Sequence, residues 1–352
     1  MKQRNIYKQT DLPVFQNRLY KSAEEGQNSP TGDINLVQDN TTGLIYNANF
    51  KSHLLQYDTS YNNDQSCSPT FKKHMKEVGD LLTSKMGKKK LIEIGCGKGT
   101  FLELLLSHGA DIIGFDPAYE GCNPLIKREY FSEDTKIKGK GIILRHVLEH
   151  IQNPVKFLYT LAKANGGSGL IYIEVPCLDW ITENRAWFDI FYEHVNYFRL
   201  QDFSNIFKNV IYSGRVFGGQ YISIVADLSS LKQPKFDPKE AFDFPKDFAK
   251  ISIPNSFSGT NKKIVVWGGG SKGVIFSLLS VRAGAQISHV IDINPAKQGL
   301  YLPGTGLKVV SPADGLKNLS HKSQIYVMNP NYLEEVQTIV GRNFVCKGPD
   351  YE

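Results

Sequence analysis

Two short stretches constrain this chain more than anything else in it. "KLIEIGCGKGTFLELL" begins at residue 90 and "KIVVWGGGSKGVIFSLL" at residue 263. Each runs from a short apolar strand through a glycine turn into an apolar helix, the signature of a βα unit in a buried parallel sheet. After the first turn, "DIIGFD", "GIILRH" and "GLIYIEVP" read as strands, with "NPVKFLYTLAKANGG" as a helix between them. After the second, "SHVIDINP", "LKVVSP" and "SQIYVMNP" read as strands and "NYLEEVQTIVG" as a helix. Alternation of this kind predicts an α/β fold with two doubly wound, Rossmann-like halves. A length of 352 residues accommodates two or three domains. The expected division is a small irregular module over 1–66, a first Rossmann-like domain over 67–227, a connector over 228–260 and a second Rossmann-like domain over 261–352. Ser68 as N-cap and Pro69 at the first helical position open the first domain. A hairpin turning at Gly218 and Gly219 closes it.

Several function classes are disfavoured early. The net charge of +6 is spread thinly over 41 basic and 35 acidic residues, whereas a nucleic-acid binder concentrates its charge on one face. The N-terminal stretch has no apolar core of a secretion signal, and no apolar run approaches the length of a membrane span. Five scattered cysteines include no C-x-x-C pair, so neither a metal site nor a disulfide framework is expected. The reading is a cytoplasmic protein, monomeric or homodimeric, acting on a small molecule.

Four motifs carry the chemistry. In the first turn Glu93 ends the strand, and Gly95, Gly97 and Gly99 follow at alternate positions. Asp116, at the tip of the next strand, stands where a carboxylate accepts ribose hydroxyls in Rossmann-type nucleotide sites. The second turn spells G-x-G-x-x-G through Gly268, Gly270 and Gly273, with Asp292 about twenty residues on. It reads as an NAD site, as a seat for the pyrophosphate of a nucleotide-linked substrate at Gly270, Ser271 and Lys272, or as a structural turn. Two complete Rossmann cofactor sites in so short a chain argue against NAD. "RHVLEHIQNP" contains His146, Glu149 and His150 as H-x-x-E-H, an inverted zinc-protease pattern. That pattern needs a continuous helix, and here a strand runs straight into it. Finally "FYEHVNYF" places Glu193 beside His194 among aromatic residues. A carboxylate there can fix an imidazole tautomer or take a proton itself, and histidine titrates near neutrality.

The spacing of Glu93, Gly95 and Gly97 resembles the first motif of class I methyltransferases that use S-adenosylmethionine (SAM). The resemblance implies a glycine turn around the amino-acid end of that cofactor, Asp116 on its ribose and His146 nearby. Taken in order, "IEIGCGKGTFLELL", "HVLEHI" with "IEVP", and "YEH..YF" resemble the sugar C-methyltransferase family. So do "NPAKQGLYLPGT" and "NPNYLEEV" in the C-terminal half. Members of that family methylate C3 of a nucleotide-linked 4-keto-6-deoxy sugar. The resemblance covers roughly residues 57–340. It implies His150, Glu193 and His194 as the proton-transfer group, with no metal in the chemistry. It also implies a sugar site that includes Asn63, Phe191, Tyr192, Gly218 and Gly219. The sequence departs from the family in four places. The N-terminal module lacks the family's zinc cysteines. Phe191 stands for a tyrosine, Phe217 for a histidine, and Asn63 for an aromatic hydroxyl. With those groups gone, O-methylation by one histidine base is an open alternative. An NAD-dependent oxidoreductase and a non-catalytic protein on a methyltransferase scaffold are the readings from other classes.

Overall fold

The computed structural model describes residues 4–55, 61–248, 264–317, 319 and 323–348. Strands β1 (Arg4–Pro13), β2 (Thr31–Gln38) and β3 (Ile45–Asn47) form an antiparallel meander. Asn196–Tyr197, far along the chain, adds a fourth strand to its edge by pairing with β3. The expected irregular module is therefore a regular sheet, and it is not independent of the domain that follows. Register shifts between Asn5 and Tyr7 and between Gln9 and Leu12 break the alternation that would have announced β1. Leu12, Val14, Ile34, Leu36 and Ile45 are buried beneath this sheet. Each such side chain contributes roughly 1.5–3 kcal/mol of burial, so apolar packing holds a module that has no cysteine. Part of the expected connector packs on it as well. The Phe236 amide donates to the Thr41 carbonyl, and Phe248 is buried against Phe244. Residues 249–260 of that connector lie outside the described residues.

The second sheet has seven strands: β4 (Leu91–Ile94), β5 (Ile112–Phe115), β6 (Ile126–Lys127), β7 (Gly141–Arg145), β8 (Leu170–Pro176), and, with Asn196–Tyr197 counted as β9, β10 (Val210–Val216) and β11 (Tyr221–Asp227). Their order is β10-β11-β8-β7-β4-β5-β6. β4 runs parallel to β5 and β7, while β11 is antiparallel to β8 and β10. Strand order reverses at β4, and in such sheets ligands bind beyond the carboxyl ends of the strands at that point. The helix Pro69–Met86 opens the domain as expected, with the Ser68 hydroxyl accepting from the Phe71 amide at 3.2 Å.

The third sheet is all parallel: β12 (Ile264–Trp267), β13 (Ile287–Ile291), β14 (Val309–Val310), β15 (Gln324–Val327) and β16 (Val345–Lys347), in the order β14-β13-β12-β15-β16. Its reversal falls at β12, immediately before the second glycine turn. There Gly273 has a steric reason: a Cβ would stand 1.8 Å from the Gly268 carbonyl oxygen, so only glycine lets the helix Ser271–Arg282 sit this close to the strand end. The two Rossmann-like halves meet in one continuous apolar core, in which Trp187 stacks on Phe276 with ring centres 5.7 Å apart. Among the described residues, no helix is long and apolar enough to cross a membrane.

Candidate active site

The first glycine turn leaves β4 with three consecutive departures into left-handed backbone, at Gly95, Gly97 and Gly99. They have different reasons for being glycine. A Cβ on Gly95 would meet Val147 at 2.5 Å and one on Gly99 would meet Ile126 at 2.4 Å, whereas one on Gly97 would find nothing within 4 Å. Gly95 and Gly99 serve packing. Gly97 faces open space, where a bound group can approach the backbone. Asp116, just past β5, accepts from the Gly97 amide at 2.7 Å and from the Ala118 amide at 2.8 Å, which fixes the carboxylate across the turn. Glu93 is buried at the base of the turn, and its Oε2 has no hydrogen-bond partner. Burial lifts its pKa to about 8 against the opposing charge of Arg145. An orphaned buried carboxyl under an open glycine turn suits a ligand with a cationic end, and SAM carries an ammonium group. Glu93, Gly97 and Asp116 are the residues that would hold it.

A cavity of about 210 Å³ lies between the two Rossmann-like halves, bordered also by the N-terminal module. The end of β7 supplies one wall. His146 takes a left-handed φ of 54°, and Leu148–His150 form a single 3-10 turn rather than the continuous helix a zinc protease requires. His146 sits with Nε2 3.1 Å from Glu174 and Nδ1 3.5 Å from Glu149. Burial opposes its charge, but the two carboxylates outweigh burial and bring its pKa to about 9. Glu174 is the centre of a buried cluster. It accepts from Arg145 at 2.9 Å and Tyr172 at 2.7 Å, and His74 stands 3.1 Å away. Against burial, the Arg145 charge and hydrogen bonds from His146 and His74 hold the Glu174 carboxyl well below its ordinary pKa.

His150, Glu193 and His194 converge on this cavity. His150 Nδ1 lies 2.9 Å from the Glu193 backbone carbonyl, which fixes that nitrogen as a donor and leaves Nε2 as the other face of the ring. The rings of His150 and His194 meet edge to face at 5.0 Å. His194 packs on Phe191 with ring centres 4.0 Å apart, and its buried Nδ1 has no partner. Burial, helped by the charges of His150, His146 and Lys272, pushes the His194 pKa well below its usual value, so the ring is neutral at neutral pH. The Glu193 side chain is tied to the N-terminal module. Tyr61 donates its hydroxyl to Oε2 at 2.7 Å, and the Gln16 and Asn17 amides donate to Oε1. Burial raises the Glu193 pKa, opposed by His150 and these donors. The acid–imidazole neighbours thus have separate environments: a hydrogen-bonded carboxylate and a desolvated neutral base.

The other expected site residues divide. Asn63, Phe191, Gly270, Ser271 and Lys272 line the cavity. Tyr192, Gly218 and Gly219 do not. Alternation along this segment turns Tyr192 away, stacked on Phe50, with its hydroxyl accepting from the Lys51 amide at 2.8 Å. Gly218 and Gly219 form the hairpin turn against Asn331 and Trp180. Lys272 is taken by an ion pair with Asp189. Tyr61 overturns the reading that the module's aromatic hydroxyl is lost at Asn63. The hydroxyl is present two residues earlier, in the same "YNND" stretch, which was the signal available. Gln16 and Asn17 act through backbone amides and leave no such signal. The second turn differs from the first in the state of its acid. Asp292 makes the same two amide contacts as Asp116, with Gly269 and Asn294, but it is buried where Asp116 is half-buried, and that enclosure makes it a poor ribose acceptor for NAD.

Residues 70–210 match a family model described as a methyltransferase domain. The C-methyltransferase NovU of Streptomyces niveus is 22% identical over 306 residues, spanning 75% of this chain and 72% of that protein. Among solved structures, the 1,6-didemethyltoxoflavin-N1-methyltransferase of Burkholderia thailandensis is 14% identical, with a TM-score of 0.34 over 48% of this chain and 82% of its own. The magnesium protoporphyrin IX methyltransferase of Synechocystis PCC 6803 is 16% identical, with a TM-score of 0.35 over 49% and 89%. The matched stretch contains the glycine turn open at Gly97 and the fixed carboxylate of Asp116, and the chain is a SAM-dependent methyltransferase.

Proposed function

We propose that the enzyme methylates carbon in a nucleotide-linked keto-deoxysugar, by removing a proton next to the keto group. The observation that carries this reading is the meeting of His150, His194 and the Tyr61–Glu193 pair on a cavity whose opposite wall is the second glycine turn. A hydroxyl is methylated with one base at hand. A carbon acid needs a placed base and a site that tolerates the charge on both partners. The likeness to the C-methyltransferase NovU supports the same reading.

SAM supplies an electrophilic methyl group when bound. His194, neutral and desolvated, takes the proton from the carbon beside the ketone. With SAM bound, the electron pair left on that carbon would form the bond to the methyl group as the sulfur–methyl bond breaks, its electrons returning to sulfur and S-adenosylhomocysteine leaving. The positive charge that appears on the imidazole is answered by the Glu149 carboxylate, which lies within 4.8 Å of the ring. Glu193 also holds His150, through its carbonyl, and Tyr61, through its carboxylate. General-base placement of this kind contributes roughly 10²–10⁴-fold to rate. Water is kept out by Phe191 and by the interdomain packing.

Solvent exchange tests the proposal. A keto-deoxysugar nucleotide incubated with enzyme and S-adenosylhomocysteine in deuterium oxide should acquire deuterium at the carbon next to the ketone. His194→Ala should abolish that exchange. A methylated oxygen in the product, with no exchange at carbon, refutes the C-methylation reading.

A further inference from the structure

The packing around the cavity leaves two of its ionisable side chains incomplete. Glu149 is 1% exposed, and neither of its carboxylate oxygens accepts a hydrogen bond from any of the described residues. His146 Nδ1 faces one of those oxygens at 3.5 Å. His194 is 7% exposed, and its Nδ1 has no partner among the described residues. His150 makes a group of three: one ligand-capable atom from each residue lies within 4.8 Å of the other two. The backbone holds this group together from both sides. Glu149 and His150 belong to the 3-10 turn that follows β7, and the segment carrying His194 is bonded to that turn. The Val195 amide donates to the Glu149 carbonyl at 2.8 Å, and the Asn196 side-chain amide donates to the Leu148 and Ile151 carbonyls at 3.3 and 2.7 Å. Buried polar atoms without partners are costly and rare. A group of them on the wall of a cavity points to something that fills the gap between them.

Two imidazoles and a carboxylate are the donor set of a transition-metal ion. Sets rich in imidazole select ions such as Zn²⁺, Co²⁺ and Ni²⁺, whereas Mg²⁺ and Ca²⁺ take oxygen ligands. The contacts behind the donors fit the same chemistry. His150 spends Nδ1 on the Glu193 carbonyl at 2.9 Å, and a ring that donates one N–H to a carbonyl presents its other nitrogen, Nε2, to a metal. Glu149 can keep one oxygen toward His146 and offer the other. Donors on one such ion stand roughly 3–4 Å apart, so a closure of about 1 Å, within the reach of side-chain torsions, completes the set. We propose that Glu149, His150 and His194 form a site for a divalent transition-metal ion, and that an ion there halts turnover by engaging the imidazole that takes the substrate's proton. A proton and a metal ion then compete for one place, because the carboxylate that answers the charge of an imidazolium answers a bound cation as well. The binding stands on this geometry alone, and the inhibition rests on the base assigned above.

The test is titration of the full chain, freed of metal by a chelator, with Co²⁺, followed by visible absorption. Co²⁺ held by nitrogen at low coordination number absorbs far more strongly than the aqueous ion. The wild type should develop those bands. Glu149→Gln and His194→Ala should each weaken Co²⁺ binding by more than about tenfold, since even the loss of a contact behind a ligand costs that much. His53→Ala, which removes an exposed histidine outside the cavity, should bind Co²⁺ as the wild type does. Zn²⁺ should displace Co²⁺, and excess Mg²⁺ should not. Thermal midpoints and retained S-adenosylhomocysteine binding show which variants are folded, and either substitution reports on the site if the other fails to fold. Absence of the bands in the wild type overturns the site. So does unchanged Co²⁺ affinity in a folded Glu149→Gln or His194→Ala protein, which would mark an adventitious ion. Failure of the base assignment looks different: Co²⁺ binds through these residues, yet methyl transfer runs unhindered with the site saturated, which overturns the inhibition and leaves the metal site standing.

Discussion

Gly97→Ala separates the cofactor reading of the first glycine turn from a purely structural one. The substitution adds one methyl group at a position where no protein atom lies within 4 Å, so the fold meets no clash. The cost to the protein alone is that of an alanine held at φ 55°, in the left-handed region, about 1–2 kcal/mol. In a domain of this size that lowers the midpoint of thermal unfolding by roughly 2–8 °C. The cost to the complex is separate. If SAM occupies the open side of the turn, the methyl group intrudes on it, and overpacking of that kind costs about 1–3 kcal/mol. The dissociation constant should then rise by roughly 5- to 150-fold. Gly95→Ala is the control, because its Cβ would press on Val147 at 2.5 Å and should destabilise the fold more than Gly97→Ala does. Titration calorimetry with S-adenosylhomocysteine, beside thermal denaturation of the free protein, measures both effects. A Gly97→Ala protein with the small loss of stability and unchanged affinity would refute the placement of the cofactor.

Three further outcomes follow from the same geometry. His194→Ala should lose roughly 10²–10⁴ in kcat while binding SAM as tightly as wild type; near wild-type turnover would remove His194 as the base. The folded-state pKa of His146, about 9, exceeds its ordinary 6.5. The folded state therefore binds the extra proton in between, and this stability is complete below 6.5 and lost as pH rises through 9. Linkage gives about 3 kcal/mol over that window, visible as a falling urea midpoint from pH 6.5 to 9 that flattens in His146→Asn. A flat wild-type profile would contradict the clasp between Glu149 and Glu174. Glu149, His150 and His194 offer ligand atoms within 4.8 Å of one another, a spacing that would also suit a metal ion. Because the base mechanism needs free imidazoles, added Zn²⁺ should inhibit and dialysis against a chelator should leave turnover unchanged; loss of activity on chelation, restored by zinc, would mean a metal enzyme.

How much of this could be read in advance depended on whether the signal was local. Both glycine turns, the capped helix at Ser68 and the parallel strands follow from apolar runs and glycine spacing, and they stand where those signals put them. The N-terminal sheet did not announce itself, because its bulges break the two-residue period and its last strand, Asn196–Tyr197, comes from another domain. Within the site, the grouping of His150 with Glu193 and His194 was implied by the family resemblance of two separate stretches, "HVLEHI" and "YEH". The partners that define their states were not. Glu193 meets Tyr61 and the amides of Gln16 and Asn17 across more than 130 positions of sequence, and Lys272 meets Asp189 across 83.

The two halves show why local pattern alone misassigns labour. Each repeats one device: an acid at the end of the second strand accepts an amide of the glycine turn and an amide two residues downstream. Asp116 does so with Gly97 and Ala118, and Asp292 with Gly269 and Asn294. By motif the second half is the better dinucleotide site, since it alone has the G-x-G-x-x-G spacing. Its burial argues otherwise. Asp292 is enclosed, Gly273 is fixed by packing on Gly268, and the motif lysine is spent on Asp189, which leaves the turn an uncapped, half-buried helix start beside the buried Lys297. The first turn keeps an open glycine and an orphaned acid, the features a cationic cofactor needs. The same backbone device thus stands in two settings, open at Gly97 in the first half and enclosed around Asp292 in the second. What sets the difference is which charges remain uncompensated once the two domains are packed together.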